Sequence, residues 1–193
     1  NRDYKWLSSI WIRNQYQSKQ KRTIGKLFSL SANLSDFLIE FPDSKILYII
    51  RDPLSVIPSG LSLVTGVLDK RFGFWKLPKD KRQHFIDRLY YGLVQLLLRF
   101  QQHWSEGKID KNKVFIVPFD RMMNDFDNLM DEILDFVNHN PSKEFLSDIK
   151  QTAINQRDFI SRHEYDLKKF GLTKKQIQDD CAPIYNTFLN SNF

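Results

Sequence analysis

The stretch YIIRDPLSVIPSG, from Tyr48 to Gly60, decides the fold of this 193-residue chain. It joins an apolar run, KILYII at 45–50, to a segment with helical spacing. The run is β-branched and aromatic and too short for a helix, which predicts a central strand of a parallel sheet. Asp52 offers an N-cap acceptor, and Pro53 suits the first helical position because that position needs no amide donor. A helix is therefore predicted from Pro53 to Leu63.

Arg51 and Ser59 form a predicted anion site at the carboxyl end of this strand. Ligands of open parallel sheets bind at that edge. From Pro53 to Ser59 a helix rises about 9 Å, so a long arginine side chain can meet the serine hydroxyl around one small anion. A guanidinium fork with an adjustable hydroxyl suits a phosphate group. Spacing alone leaves a plainer alternative open, in which Arg51 pairs with a surface carboxylate and Ser59 is an ordinary helix residue.

Strands and helices alternate along the rest of the chain. Helices are predicted at 3–18, 31–41, 80–105 and 127–139, strands at 26–30 and 114–119, and a loop at 72–80. This order predicts an α/β fold in three layers, with a parallel sheet flanked by helices. We expect a single domain over residues 1–193.

Composition limits the classes of function. The chain is 41% hydrophobic without a run of eighteen apolar residues, so no membrane span is predicted. Lys and Arg outnumber Asp and Glu by 29 to 23, which suits an anionic ligand but equally a solvated basic surface. The one cysteine, Cys181, excludes an internal disulfide framework and fits a reducing compartment, so a cytoplasmic location is expected. One cysteine also cannot build a usual structural zinc site, and no metal is expected.

The segment FPDSKILYIIRDPLSVIPSGLSL, at 41–63, resembles the 3′-phosphate-binding segment of sulfotransferases that use 3′-phosphoadenosine-5′-phosphosulfate (PAPS). That family shows a Phe-Pro-Asp-Ala lead-in, a strand, Arg-Asp-Pro, and a serine eight residues after the arginine. The resemblance implies that Arg51 and Ser59 bind the 3′-phosphate of this cofactor. It also implies a fold like that of P-loop NTPases.

Two further segments are similar to the same family. VFIVPFDRMMNDFDNLMDEILDFV, at 114–137, is similar to its second strand and following helix, with Phe119-Asp120 in place of the usual Tyr-Glu. Phe119 keeps a ring that can pack on adenine but lacks the phenol hydroxyl. SRHEYDLKKFGLTKKQIQ, at 161–178, is similar to the C-terminal segment of the bacterial-type branch, and His163 within it is a secondary candidate for contact with cofactor or acceptor.

One element of the family has no counterpart in this sequence. The glycine- and serine-rich loop that binds the 5′-phosphosulfate is absent, so we expect the C-terminal portion of a sulfotransferase domain, without that loop and its N-terminal strand. The residue that would act as catalytic base is not identified, because in related enzymes it often comes from upstream positions.

The resemblance implies transfer of a sulfuryl group from PAPS to a hydroxyl or amine of a small-molecule, glycan or lipid acceptor. Two alternatives stay open. A P-loop nucleotide or nucleoside kinase would need a Walker loop and magnesium ligands. A non-enzymatic module for an anionic polymer would bind with steep salt dependence. Nucleic acid is not the expected partner, and the aromatic and basic residues of 65–80 predict a lid over an acceptor instead.

Overall fold

The structure is a computed structural model, and it describes residues 2–16, 22–157 and 166–189. Strand β1 spans Ile46–Ile50 and strand β2 spans Val114–Pro118, and the two are parallel neighbours. The predicted α/β class and the parallel pairing of these two segments are confirmed. The sheet has two strands within the described residues, so the predicted three-layer arrangement is not seen in that part of the chain.

Helices form most of the described chain. The α-helices are α1 (Arg2–Gln15), α2 (Leu34–Glu40), α3 (Pro53–Phe72), α4 (Lys79–Ser105), α5 (Phe119–Asn124), α6 (Phe126–Phe136), α7 (Lys143–Arg157), α8 (Lys174–Asp180) and α9 (Ala182–Ile184). Short 3₁₀ helices span Phe28–Asn33, Phe74–Lys76, Lys111–Lys113 and Leu167–Phe170, and a π-helical turn spans Tyr185–Leu189. Among these helices, none combines the length and the apolar character needed to cross a membrane.

The predicted strand at 26–30 is wrong. This segment leads into a 3₁₀ helix at Phe28–Asn33, in which the amide of Leu30 donates to the carbonyl of Leu27. Phe28 is 69% exposed, so the apolar residues that suggested a buried strand are not buried here. The serines and the asparagine of FSLSAN can bond to nearby backbone, which favours local turns over pairing in a sheet.

The predicted end of α3 is also wrong, whereas the predicted loop at 72–80 corresponds to the turn at 73–78 that connects α3 to α4. Helix α3 continues past Leu63 to Phe72 and ends at Gly73, whose positive φ of 66° suits a C-cap glycine. The following turn is anchored, because the Trp75 amide donates to Asp69 Oδ1 and Arg82 Nη1 donates to the Trp75 carbonyl. The segment 65–80 is therefore mostly helical and anchored, and its role as a lid over an acceptor stays a prediction.

The main core lies between one face of β1 and the long helices α3 and α4. Tyr48 of β1 stacks on Phe100 of α4 with ring centroids 3.5 Å apart, and Ile57 of α3 is fully buried. The other face of β1 carries Leu47 and Ile49, which are 42% and 54% exposed. A central strand would be buried on both faces, so the predicted central position of β1 is not seen within the described residues.

The segment that follows residue 165 completes the core. Cys181 and Ile184 are fully buried, and Tyr90 of α4 donates a hydrogen bond of 2.6 Å to Asp180 Oδ2. Gln101 of α4 donates to the hydroxyl of Thr187 at 2.8 Å. This segment is thus fixed to α4 at two points, one through the tyrosine and one through the glutamine.

We predict that Cys181 reports on this packing. Burial, with smaller effects of the Asp180 and Asp52 charges, raises the pKa of its thiol to about 11. A rise of two units lowers the reactive thiolate fraction about a hundredfold near neutral pH. The folded protein should therefore react with a disulfide reagent at least about a hundredfold more slowly than the protein in concentrated guanidinium chloride. Fast reaction of the folded protein would show that the segment 166–189 is not packed as described.

Candidate anion-binding site

The junction between β1 and α3 is fixed by Asp52. Its Oδ1 accepts a hydrogen bond of 2.8 Å from the Leu54 amide, and its carbonyl accepts from the amides of Ser55 and Val56. Pro53 occupies the first helical position, so the predicted cap is confirmed. Because the cap fixes the first turn of the helix, it also fixes the backbone position of Arg51 between β1 and α3.

Arg51 lies over the ring of Phe119. The guanidinium carbon is 4.1 Å from the ring centroid, which is a cation–π contact. The register of the sheet produces this contact, because Ile50 pairs with Pro118 and the next residue of each chain segment is Arg51 or Phe119. The side chains that follow two neighbouring parallel strands therefore meet at the carboxyl end of the sheet.

The guanidinium of Arg51 makes no hydrogen bond or ion pair with residues 2–16, 22–157 or 166–189. The plainer alternative, in which Arg51 pairs with a surface carboxylate, is therefore not what the structure shows within these ranges. Arg51 is half-buried, and its N–H donors remain available to a ligand. A half-buried guanidinium on an aromatic face can bind an anion more strongly than a fully solvated one.

Ser59 lies on α3, the helix that begins next to Arg51. It is half-buried, and its hydroxyl makes no hydrogen bond with the described part of the chain. Thr65 in the same helix differs, because its hydroxyl donates to the Leu61 carbonyl at 2.7 Å. The Ser59 hydroxyl is therefore free to donate to a ligand, and its role as an anion ligand stays a prediction.

Tyr185 belongs to this site, and sequence analysis did not find it. Its phenol donates a hydrogen bond of 2.6 Å to Asp52 Oδ1. Burial and this hydrogen bond raise the pKa of Tyr185, so the phenol stays protonated and keeps donating. The two residues are 133 positions apart, and no local pattern links them. This bond attaches the C-terminal segment to the start of α3.

Phe119 has an observed role that differs from the one predicted for it. The ring supports Arg51, whereas packing on adenine stays a prediction. His163 lies outside the described residues. Across the described ranges, no group of three or more His, Cys, Asp or Glu side chains could hold a metal ion.

A comparison with known protein families gives one match. The model of the sulfotransferase family matches residues 3–140, which include both strands, Arg51, Ser59 and Phe119. No curated protein and no solved structure matches the chain.

We predict that Tyr185 stabilises the fold through Asp52. Tyr185→Phe should lower the free energy of unfolding by about 1 kcal/mol, since it removes one hydrogen bond. Asp52→Ala should cost about 1–2 kcal/mol, because it removes the cap as well. The double variant should lose less than the sum, because both changes remove the same hydrogen bond. Urea unfolding measures all three.

Tyr91→Phe is the matched control for this prediction. Tyr91 is exposed, and its hydroxyl makes no hydrogen bond with the described residues, so its loss should leave stability unchanged. Strict additivity of the Tyr185 and Asp52 variants would show that the two side chains act independently in solution.

Proposed function

The chain belongs to the sulfotransferase family, and we propose that it transfers a sulfuryl group from PAPS to a hydroxyl or amine acceptor. Membership of this family supports transferase activity. The identity of the sulfuryl donor and that of the acceptor are proposals. The observation that carries the proposal is the guanidinium of Arg51, held over Phe119 without a carboxylate partner among the described residues. The family match favours this activity over phosphoryl transfer and over binding of an anionic polymer.

The side chains present fit the 3′-phosphate of PAPS. Arg51 offers a fork of N–H donors, and Ser59 offers a hydroxyl that no described residue uses. The amino end of α3 adds a partial positive charge close to Arg51. Asp52 makes no ion pair with Arg51, and its Oδ1 accepts from the Leu54 amide and the Tyr185 phenol instead.

Arg51 and Ser59 would contribute to catalysis by orienting the donor. When bound, PAPS supplies the sulfuryl group and departs as adenosine 3′,5′-bisphosphate after the acceptor attacks the sulfur in line. Arg51 and Ser59 would hold the far end of the donor, which limits where its reactive end can lie. Such positioning makes the reaction between donor and acceptor effectively unimolecular, with a defined geometry of attack. The residue that accepts the acceptor's proton is not assigned.

The remaining expectations form part of the proposal. The chain is proposed to be a single domain related to the P-loop fold, with the sheet edge at Arg51 and Phe119 as its nucleotide side. The acceptor would be a small molecule, a glycan or a lipid. A cytoplasmic location stays an expectation from the single buried cysteine, Cys181.

We predict that binding depends on the 3′-phosphate. Calorimetric titration should show that adenosine 3′,5′-bisphosphate binds more tightly than 5′-AMP. Arg51→Ala should weaken the bisphosphate about 10- to 100-fold, as expected for a charged hydrogen bond, and Ser59→Ala about fivefold. Neither change should alter the affinity for 5′-AMP, because it lacks the 3′-phosphate.

The control for Arg51→Ala is Arg71→Ala, since Arg71 is exposed near the far end of α3 and should not affect binding. Equal affinity for the two nucleotides, or full binding by Arg51→Ala, would rule out a 3′-phosphate site at this position.

A second titration separates the two roles of Phe119. If the ring supports Arg51, Phe119→Leu should weaken the bisphosphate about two- to fivefold and leave 5′-AMP unchanged. If the ring packs on adenine, both nucleotides should lose affinity by the same factor. Phe119→Tyr keeps the aromatic face and should bind the bisphosphate as the original protein does. We expect the first result, because the guanidinium already lies over the ring.

A further inference from the structure

An apolar groove lies between the carboxyl end of α3 and the amino end of α4, away from the anion site. Its volume is about 680 Å³, within the range of roughly 300–1,000 Å³ that is usual for small-molecule sites. The apolar lining includes Phe72, Phe85 and Leu89. From Ser59 to Phe72 the helix rises about 20 Å, so the groove and the anion site are separate places on one helix.

Three basic side chains line the same groove: Lys81, His84 and Arg88. They recur at three- and four-residue spacing, which places them on one side of α4 beside Phe85 and Leu89. All three are exposed, and none makes a hydrogen bond or ion pair with the described residues. No acidic residue is among the described side chains that line the groove.

The distribution of charge separates this groove from an ordinary solvated surface. Lys81 and Arg88 lie two turns apart, about 10 Å along the helix, with the same sign of charge and an apolar surface beside them. Phe72 is 75% exposed at the edge of the groove, so a large aromatic ring stays in contact with water. An occupant with an apolar body and a negative group would cover the ring and reduce the repulsion between the two cations.

We propose that this groove binds a free single-chain amphiphile with one anionic headgroup. The chain would lie on Phe72, Phe85 and Leu89, and the headgroup would meet Lys81, His84 and Arg88. Complementary charge decides between this occupant and a neutral apolar one, because all three polar groups that line the groove beside its apolar floor are basic. The proposal does not depend on the sulfotransferase activity or on the bisphosphate site.

Calorimetric titration with decanoate, below its micelle concentration, tests the proposal. One molecule per chain should bind with a sub-millimolar dissociation constant. Acetate, which has the headgroup without the chain, should not bind measurably, and decyltrimethylammonium, which has the opposite charge, should bind at least about tenfold more weakly. Equal binding of the two decyl compounds would overturn the proposal.

Variants of the groove residues test where decanoate binds. Lys81→Gln and Arg88→Gln should each weaken decanoate about two- to fivefold, as expected for exposed ion pairs. Phe72→Ser should weaken it about fivefold through the loss of buried apolar area. The exposed position of Phe72 makes the variant safe for folding, and thermal unfolding would verify this.

Matched controls carry the same changes outside the groove. Arg99→Gln, also on α4, and Leu63→Ser, on α3, alter exposed residues that do not line the groove, so both should bind decanoate normally. Arg51→Ala should also leave decanoate binding intact, whatever it does to nucleotide binding. Loss of affinity in the controls equal to that in the groove variants would overturn the assignment.

A membrane surface is the competing source of an anionic headgroup. Sedimentation with vesicles of phosphatidylcholine, with and without phosphatidylserine, distinguishes the two. We expect decanoate binding and no vesicle binding that depends on Lys81 or Arg88. Vesicle binding that requires these residues, with no binding of decanoate, would overturn the proposal of a free amphiphile.

Discussion

The register of the parallel pair β1 and β2 is the constraint on which the site depends. Because Ile50 lies opposite Pro118, the first residues after the two strands, Arg51 and Phe119, come together at one edge. A shift of one residue in either strand would turn alternate side chains to the opposite face of the sheet. Stacking of Tyr48 on Phe100 helps hold β1 against α4 and so opposes such a shift. The packing of the core thus sets the geometry of the proposed anion site.

The hydrogen bonds of Asp52 explain why this acidic residue can directly follow the arginine that is proposed to bind an anion. A free carboxylate at this position would compete with any anion for the guanidinium. Its Oδ1 instead accepts from the Leu54 amide and the Tyr185 phenol, so the carboxylate serves the helix and the C-terminal segment. Arg51 meanwhile lies on an aromatic ring, which supports a cation without neutralising it. The Arg-Asp-Pro sequence thereby places a carboxylate that stabilises the fold next to a guanidinium that has no ion pair with the described residues.

Local sequence predicted the parts of this arrangement that depend on neighbouring residues. The cap at Asp52 and the strand before it follow from residue types within a few positions, and the structure has both. The contact of Tyr185 with Asp52 depends on the packing of distant segments, so no periodicity could reveal it. The strand predicted at 26–30 failed for a related reason, because an apolar run forms a strand only where a partner strand is available. The contact of Arg51 with Phe119 depends on the register between β1 and β2. The alternation of strands and helices predicted a parallel sheet, but it did not predict this register.

The error in the length of α3 has a consequence for function. If the helix ended at Leu63, as predicted, Phe72 would belong to a loop, and the helix would not fix its position beside α4. Since α3 continues through Gly66 to its cap at Gly73, its last turns reach Lys81, His84 and Arg88 and form one wall of the groove. The turn between the two helices is held by Asp69 and Arg82, which keeps the apolar wall beside the basic side chains. One helix of 20 residues therefore carries the proposed anion site at its start and the groove at its end, and the rigidity of the helix sets the distance between them.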